Sequence, residues 1–100
     1  MSEPSRPDGG EAISRVLHIV NSRGLHARAS ARFVQTVEKF DAVVTVTRNT
    51  ETVGGDSIMG LMMLSAGPGT SILVRATGAQ AAEAIDALDA LVSSRFGETD

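Results

Sequence analysis

Residues 27–47 read ARASARFVQTVEKFDAVVTVT, and within this stretch the spacing of the apolar residues changes. Ala27, Ala31, Val34, Val37 and Phe40 recur at intervals of three and four, and Phe33 joins Val37 and Phe40 on that side. This spacing predicts an amphipathic helix over 27–40. Residues 42–47 are instead rich in β-branched side chains, whose stiff χ1 angles suit a pleated surface, and read as a strand. The helix therefore passes straight into a strand. That junction sets the frame for the rest of the chain.

Working outward, residues 15–20 form an apolar run with β-branched members, a first strand, and Asn21-Ser22-Arg23-Gly24 supplies turn chemistry before the helix. Downstream, Arg48-Asn49-Thr50 turns the chain so that Glu51-Thr52-Val53 can return antiparallel, and Gly54-Gly55 ends that strand. Residues 57–64 make a short apolar helix with Ser57 as its cap. Gly67-Pro68-Gly69 breaks the chain before a fourth strand at 71–76. After Gly78, the stripe Ala81, Ile85, Leu88 and Val92 marks a last helix. The order β-α-β-β-α-β-α predicts an α+β, two-layer sandwich: a four-stranded antiparallel sheet with three helices on one face. Residues 1–12, rich in Pro, Gly, Ser and charge, read as a flexible leader; 13–95 form one domain, and 96–100 are expected to fray.

Composition narrows the functional classes. At 42% hydrophobic residues the chain can build a real core. Three Phe with no Tyr or Trp leave no platform for stacking bases, and a formal charge of −3 without a basic block gives counterion release little to act on. Nucleic-acid binding is not expected. The lack of cysteine removes disulfides and thiolate chemistry, and two histidines without a carboxylate cluster between them do not suggest a metal site. No run of apolar residues is long enough to span a bilayer, and the N-terminus does not read as a signal peptide. The expected setting is the cytoplasm.

One constellation points to chemistry: Gly24-Leu25-His26-Ala27-Arg28, where the turn meets the helix. Unpaired amides and the macrodipole make a helix N-terminus an anion site. A neutral histidine nitrogen held there can attack phosphorus, and Arg28 can then share the charge of the phosphoryl group. Gly24 permits a close approach that a side chain would obstruct. The residues alone also allow a plainer role, in which His26 merely flanks a helix and Arg28 is solvated. His18, set mid-strand between Leu17 and Ile19, reads as an ordinary strand histidine.

A second constellation, Asp56-Ser57-Ile58-Met59-Gly60-Leu61-Met62-Met63-Leu64, is too apolar for a helix that can bury a single stripe. If Leu61 and Leu64 face the core, Ile58 and Met62 face outward, and polarizable Met suits a surface that meets several partners. Burial under a neighbouring loop is the alternative.

Together these segments resemble HPr, the histidine phosphocarrier family of the bacterial phosphoenolpyruvate-dependent phosphotransferase system. Gly24-Leu25-His26-Ala27-Arg28 is similar to the family's active-site motif, and Asp56-Ser57-Ile58-Met59-Gly60-Leu61-Met62 to its regulatory serine segment. Ala76-Thr77-Gly78 also fits, so that the resemblance covers about residues 14–94. It implies that His26 carries the phosphoryl group on Nδ1, that Arg28 stabilises it, and that Ser57 is a target of HPr kinase/phosphorylase. It implies docking of Enzyme I and IIA proteins on Ile58, Met59 and Met62. It further implies no cofactor, no metal and a monomeric carrier that is a substrate of Enzyme I, not an enzyme itself. In two places the chain departs from the usual pattern: Ala29 stands where the family commonly has Pro, and Asp56 where many members have Lys. The rival reading is a regulatory docking module of the same fold, acting on a kinase or transcription factor through Ile58, Met59 and Met62. A free-standing hydrolase or transferase is disfavoured, since no second acid, base or metal set accompanies His26.

Overall fold

The computed structural model describes residues 12–98. The elements follow the expected order: β1 (Ile13–His18), α1 (Ala27–Val37), β2 (Val43–Arg48), β3 (Glu51–Gly54), α2 (Ile58–Met63), β4 (Ser71–Thr77) and α3 (Ala81–Ser93). A single turn, Arg95–Gly97, follows α3. In the sheet the strands lie in the order β1-β4-β2-β3, and each neighbouring pair is antiparallel.

Register sorts the side chains by face. Leu17 pairs with Ile72, Val46 with Val74 and Val44 with Ala76, and all six are buried. The intervening pairs, Val16 with Leu73 and His18 with Ser71, lie on the opposite face and are exposed. This two-residue alternation is what an antiparallel sheet with one covered face requires. The covering comes from Phe33, Val34 and Val37 of α1, Leu61 of α2, and Ala84, Ile85, Leu88 and Val92 of α3. At about 1.5–3 kcal/mol for each large aliphatic or aromatic side chain withdrawn from water, these contacts outweigh helix propensity in holding the three helices. Arg15 ties β1 to α3 by reaching Asp86 at 3.0 Å and Asp89 at 3.1 Å.

Element boundaries differ from the sequence reading in instructive ways. Helix α1 stops at Val37 instead of Phe40, because its last turn tightens: Lys39 N–H bonds Thr36 O and Phe40 N–H bonds Val37 O. The face it buries is also rotated, comprising Ala29, Ser30, Phe33, Val34 and Val37, whereas Ala27 is exposed. Ser30 is tolerated there because its Oγ donates to Leu25 O at 3.2 Å. Strand β1 begins two residues earlier than expected. Beyond it, Ile19 stays buried and exchanges backbone bonds with Thr70 O and Gly69 N–H. The β2–β3 turn is shorter than expected, with Asn49 in the left-handed region at φ 57°, which its short polar side chain accommodates.

The larger correction concerns the tail. Residues 96–98 do not fray. Phe96 is 0% exposed and belongs to the core cluster, and Arg32 Nη1 donates to its carbonyl. Arg95, Phe96 and Gly97 all have positive φ, a left-handed turn that folds the chain back under α1. Its cost for two non-glycine residues, on the order of 1–2 kcal/mol each, is offset by burial of the Phe96 ring. The leader assigned to 1–12 falls, except for Ala12, outside the described residues, as do positions 99 and 100.

Candidate functional site

The site is assembled where the β1–α1 loop meets the loop after α2. Gly24 has φ +62°, and a Cβ there would lie 2.3 Å from Ala66 O and 2.8 Å from Gly67 Cα. Leu25 N–H donates to Ala66 O at 3.0 Å. The glycine thus serves close packing of two backbones, which sets His26 at the start of α1. Gly24→Ala is expected to cost about 2–4 kcal/mol, combining left-handed strain with a contact that only backbone movement relieves. Urea denaturation measures this, and a loss under about 0.5 kcal/mol would show that the loop gives way freely.

His26 occupies the N-cap position of α1 with extended backbone, φ −76° and ψ −176°, and its side chain does not cap the helix. Its carbonyl accepts from Ser30 N–H at 2.8 Å, so α1 begins immediately after the histidine. The first-turn amides of α1 therefore remain available to an anion. The ring's Nε2 lies 2.5 Å from Glu98 Oε2, with the two side chains 18% and 12% exposed. Nδ1 has no hydrogen-bond partner among the described residues. Glu98 is held from behind by Asn21, whose Nδ2 donates to Glu98 Oε1 at 3.0 Å and to Gly24 O at 2.9 Å. Since both partners are acceptors, the orientation of this wholly buried amide is determined.

An open depression beside the ring is lined by Arg23, Leu25, His26, Ser65, Ala66 and Gly67. Arg28 is exposed and makes no hydrogen bond or ion pair with a described residue. Two guanidinium groups thus stand near the helix start, free to meet an incoming anion. His18 lies apart on the open face of the sheet, where Nδ1 is 2.8 Å from Ser71 Oγ.

Ser57 is the N-cap of α2, and its Oγ accepts from Gly60 N–H at 2.9 Å. Leu61 and Leu64 face the core, while Ile58 and Met62 are about 40% exposed and Met59 and Met63 are 68% and 67% exposed. The expected outward stripe is present, with Met63 added to it. The loop that continues from α2, through Ser65, Ala66 and Gly67, forms one wall of the depression beside His26.

Asn21 and Glu98 were not anticipated. Asn21 read as turn chemistry, and Glu98 fell in the tail assigned to fraying; they lie in sequence 77 residues apart. The available signal was Phe96, an isolated aromatic four residues past the last apolar position of α3, in a chain with three aromatics in all.

A family model described as "PTS HPr component phosphorylation site" matches residues 13–94. The chain belongs to the HPr family. It is a phosphocarrier of the phosphotransferase system, a carrier of phosphoryl groups and not a catalytic enzyme. The phosphocarrier protein HPr of Neisseria meningitidis is 49% identical over 86 residues, covering 86% of this chain and 97% of that protein. That of Pseudomonas aeruginosa is 47% identical over 81 residues, covering 80% and 90%. The crystal structure of HPr-C-His from Thermoanaerobacter tengcongensis superposes with a TM-score of 0.83 at 40% identity, covering 88% of this chain and 99% of that one. The βαββαβα sandwich is accordingly the HPr fold. No helix among the described residues of this HPr-family chain is long and apolar enough to cross a membrane.

Proposed function

We propose that Nδ1 of His26 accepts a phosphoryl group from phospho-Enzyme I and delivers it to a histidine of a IIA protein, in the cytoplasm where phosphoenolpyruvate is available. The observation that carries this reading is the state of the ring: Nε2 is engaged by Glu98, and Nδ1, at the start of α1, is left without a partner among the described residues. Transfer is in-line between two docked proteins, so the work of the site is positioning and charge compensation. First-turn amides of α1 and the exposed Arg28 supply donors to the equatorial oxygens. Intact mass after incubation with Enzyme I and phosphoenolpyruvate tests the acceptor step, and a second incubation with a IIA domain tests delivery. A chain that gains one acid-labile phosphoryl group and loses it to the IIA domain meets both expectations. One that stays unlabelled fails the first.

The apolar stripe of α2 serves as the contact surface for both partners, since Ile58, Met59 and Met62 are exposed on the helix whose following loop walls the depression at His26. Ser57 sits on the rim of that stripe and would be the target of HPr kinase/phosphorylase. A phosphate there adds about −1.5 to −2 charges at a helix start that accepts them. The same charges oppose a partner bringing acidic groups toward Arg28. Ser57→Asp is therefore expected to keep the melting temperature nearly unchanged and to slow transfer from Enzyme I. Ser57→Ala is expected to lose about 1 kcal/mol of cap stability and transfer normally. Melting and transfer rates measured on both variants separate the two roles, and an early-melting Ser57→Asp with normal transfer would leave Ser57 a cap alone.

A further inference from the structure

We infer that Glu98 is a positioning residue for phosphoryl transfer: its carboxylate holds the His26 proton on Nε2 and so keeps the Nδ1 lone pair free for attack. The inference rests on the reading of His26 Nδ1 as the acceptor and deepens it. An ionised carboxylate can only accept, so the 2.5 Å contact between His26 Nε2 and Glu98 Oε2 requires the hydrogen on Nε2. A neutral imidazole carries a single N–H, and fixing it on Nε2 leaves Nδ1 bare. The carboxylate is not a loose surface group. It is 12% exposed, its other oxygen takes a 3.0 Å bond from buried Asn21, and the preceding Phe96 is anchored in the core. Asn21 to Glu98 to His26 forms a relay in which each member orients the next, the arrangement by which a third group sets the tautomer of a reacting histidine.

The step balances without moving a proton. The Nδ1 lone pair attacks the phosphorus of the donor's phosphohistidine; the donor's P–N bond breaks, and its electron pair returns to the donor ring. An Nδ1–P bond forms, and His26 keeps its Nε2–H. The ring then carries a positive charge, which faces the Glu98 carboxylate. In the onward step the Nδ1–P bond breaks and the pair returns to Nδ1, so that His26 departs as neutral imidazole. Without the carboxylate, the proton would spread over both nitrogens in the free carrier, and the phosphorylated ring would lose its counter-charge.

The test uses the full chain with ring-nitrogen NMR and His18 as internal reference, in native protein, Glu98→Ala and Glu98→Gln, all well below melting. Native His26 is expected to give the Nε2–H signature and to become phosphorylated on Nδ1, shown by phosphorus–nitrogen coupling. Glu98→Ala is expected to give mixed tautomers and to accept phosphoryl groups from Enzyme I roughly 10-fold more slowly. Glu98→Gln, which keeps an acceptor oxygen, should recover the tautomer and much of the acceptance rate. An unchanged tautomer and native rate in Glu98→Ala overturn the role of Glu98 while leaving His26 as the acceptor. Labelling of the native chain on Nε2, or no labelling at all, overturns both.

Discussion

His26→Ala is expected to gain no phosphoryl group from Enzyme I and phosphoenolpyruvate, while the native chain gains one. The loss should be complete, because a covalent acceptor has no partial substitute. The chain's other histidine cannot take over. His18 projects from the open face of the sheet, paired opposite Ser71, and its Nδ1 is engaged with Ser71 Oγ. His18→Ala should consequently label as the native chain does. Nor would a loss in His26→Ala reflect unfolding: the side chain is not a helix cap, and the carbonyl that accepts from Ser30 N–H is retained. Circular dichroism melting on the same samples checks this. Residual labelling of His26→Ala, at any acid-labile position, would remove His26 from the centre of the proposal.

Phe96→Ala carries the largest expected effect on stability. Phe96 is wholly buried against the core and is reached through a backbone held at φ 56°, so truncation removes the packing while keeping the strain. Phe-to-Ala changes in cores cost about 3–5 kcal/mol, a large part of the roughly 5–15 kcal/mol that holds a domain of this size together. The corresponding drop in melting temperature is of order 15–30 °C. Phe96→Leu, which retains most of the apolar volume, should lose about 1–2 kcal/mol and remain folded for comparison. Glu98 follows two residues later, so Phe96→Ala should also release the carboxylate from His26. If calorimetry puts Phe96→Ala within about 1 kcal/mol of the native chain, the tail does not pack in solution as described.

Much of the fold could be read from local pattern. The apolar, β-branched runs mark β1, β2 and β4 to within two residues, and the stripe Ala81, Ile85, Leu88 and Val92 is the buried face of α3, because sheet and helix each bury one face. The Ser57 cap was legible for the same local reason, since its acceptor and donor lie three residues apart. The buried face of α1 lies a fraction of a turn from the one the apolar spacing marks out, because it includes the polar Ser30, whose hydroxyl finds Leu25 O, five residues back across the helix start. His26 and Arg28 were marked by a turn glycine and a helix beginning at one point. Their companions could not be found that way. Glu98 comes to His26 only because Phe96 is buried and the turn at Arg95–Gly97 bends left-handed, and neither leaves a periodic trace.

The strand order carries a further consequence for how the molecule comes into being. A chain grows from its N-terminus, and β2 and β3 can pair as a hairpin as soon as both have emerged. The first strand has no such neighbour. Among the described residues its strand partner is β4, so β1 waits for it through synthesis of everything between. His26 waits longer still, for a carboxylate 72 residues further on. The histidine is made well before the carboxylate that it meets. A nascent chain therefore holds all four strands of its sheet before it has a finished site, and translation withholds that site until residue 98 is in place.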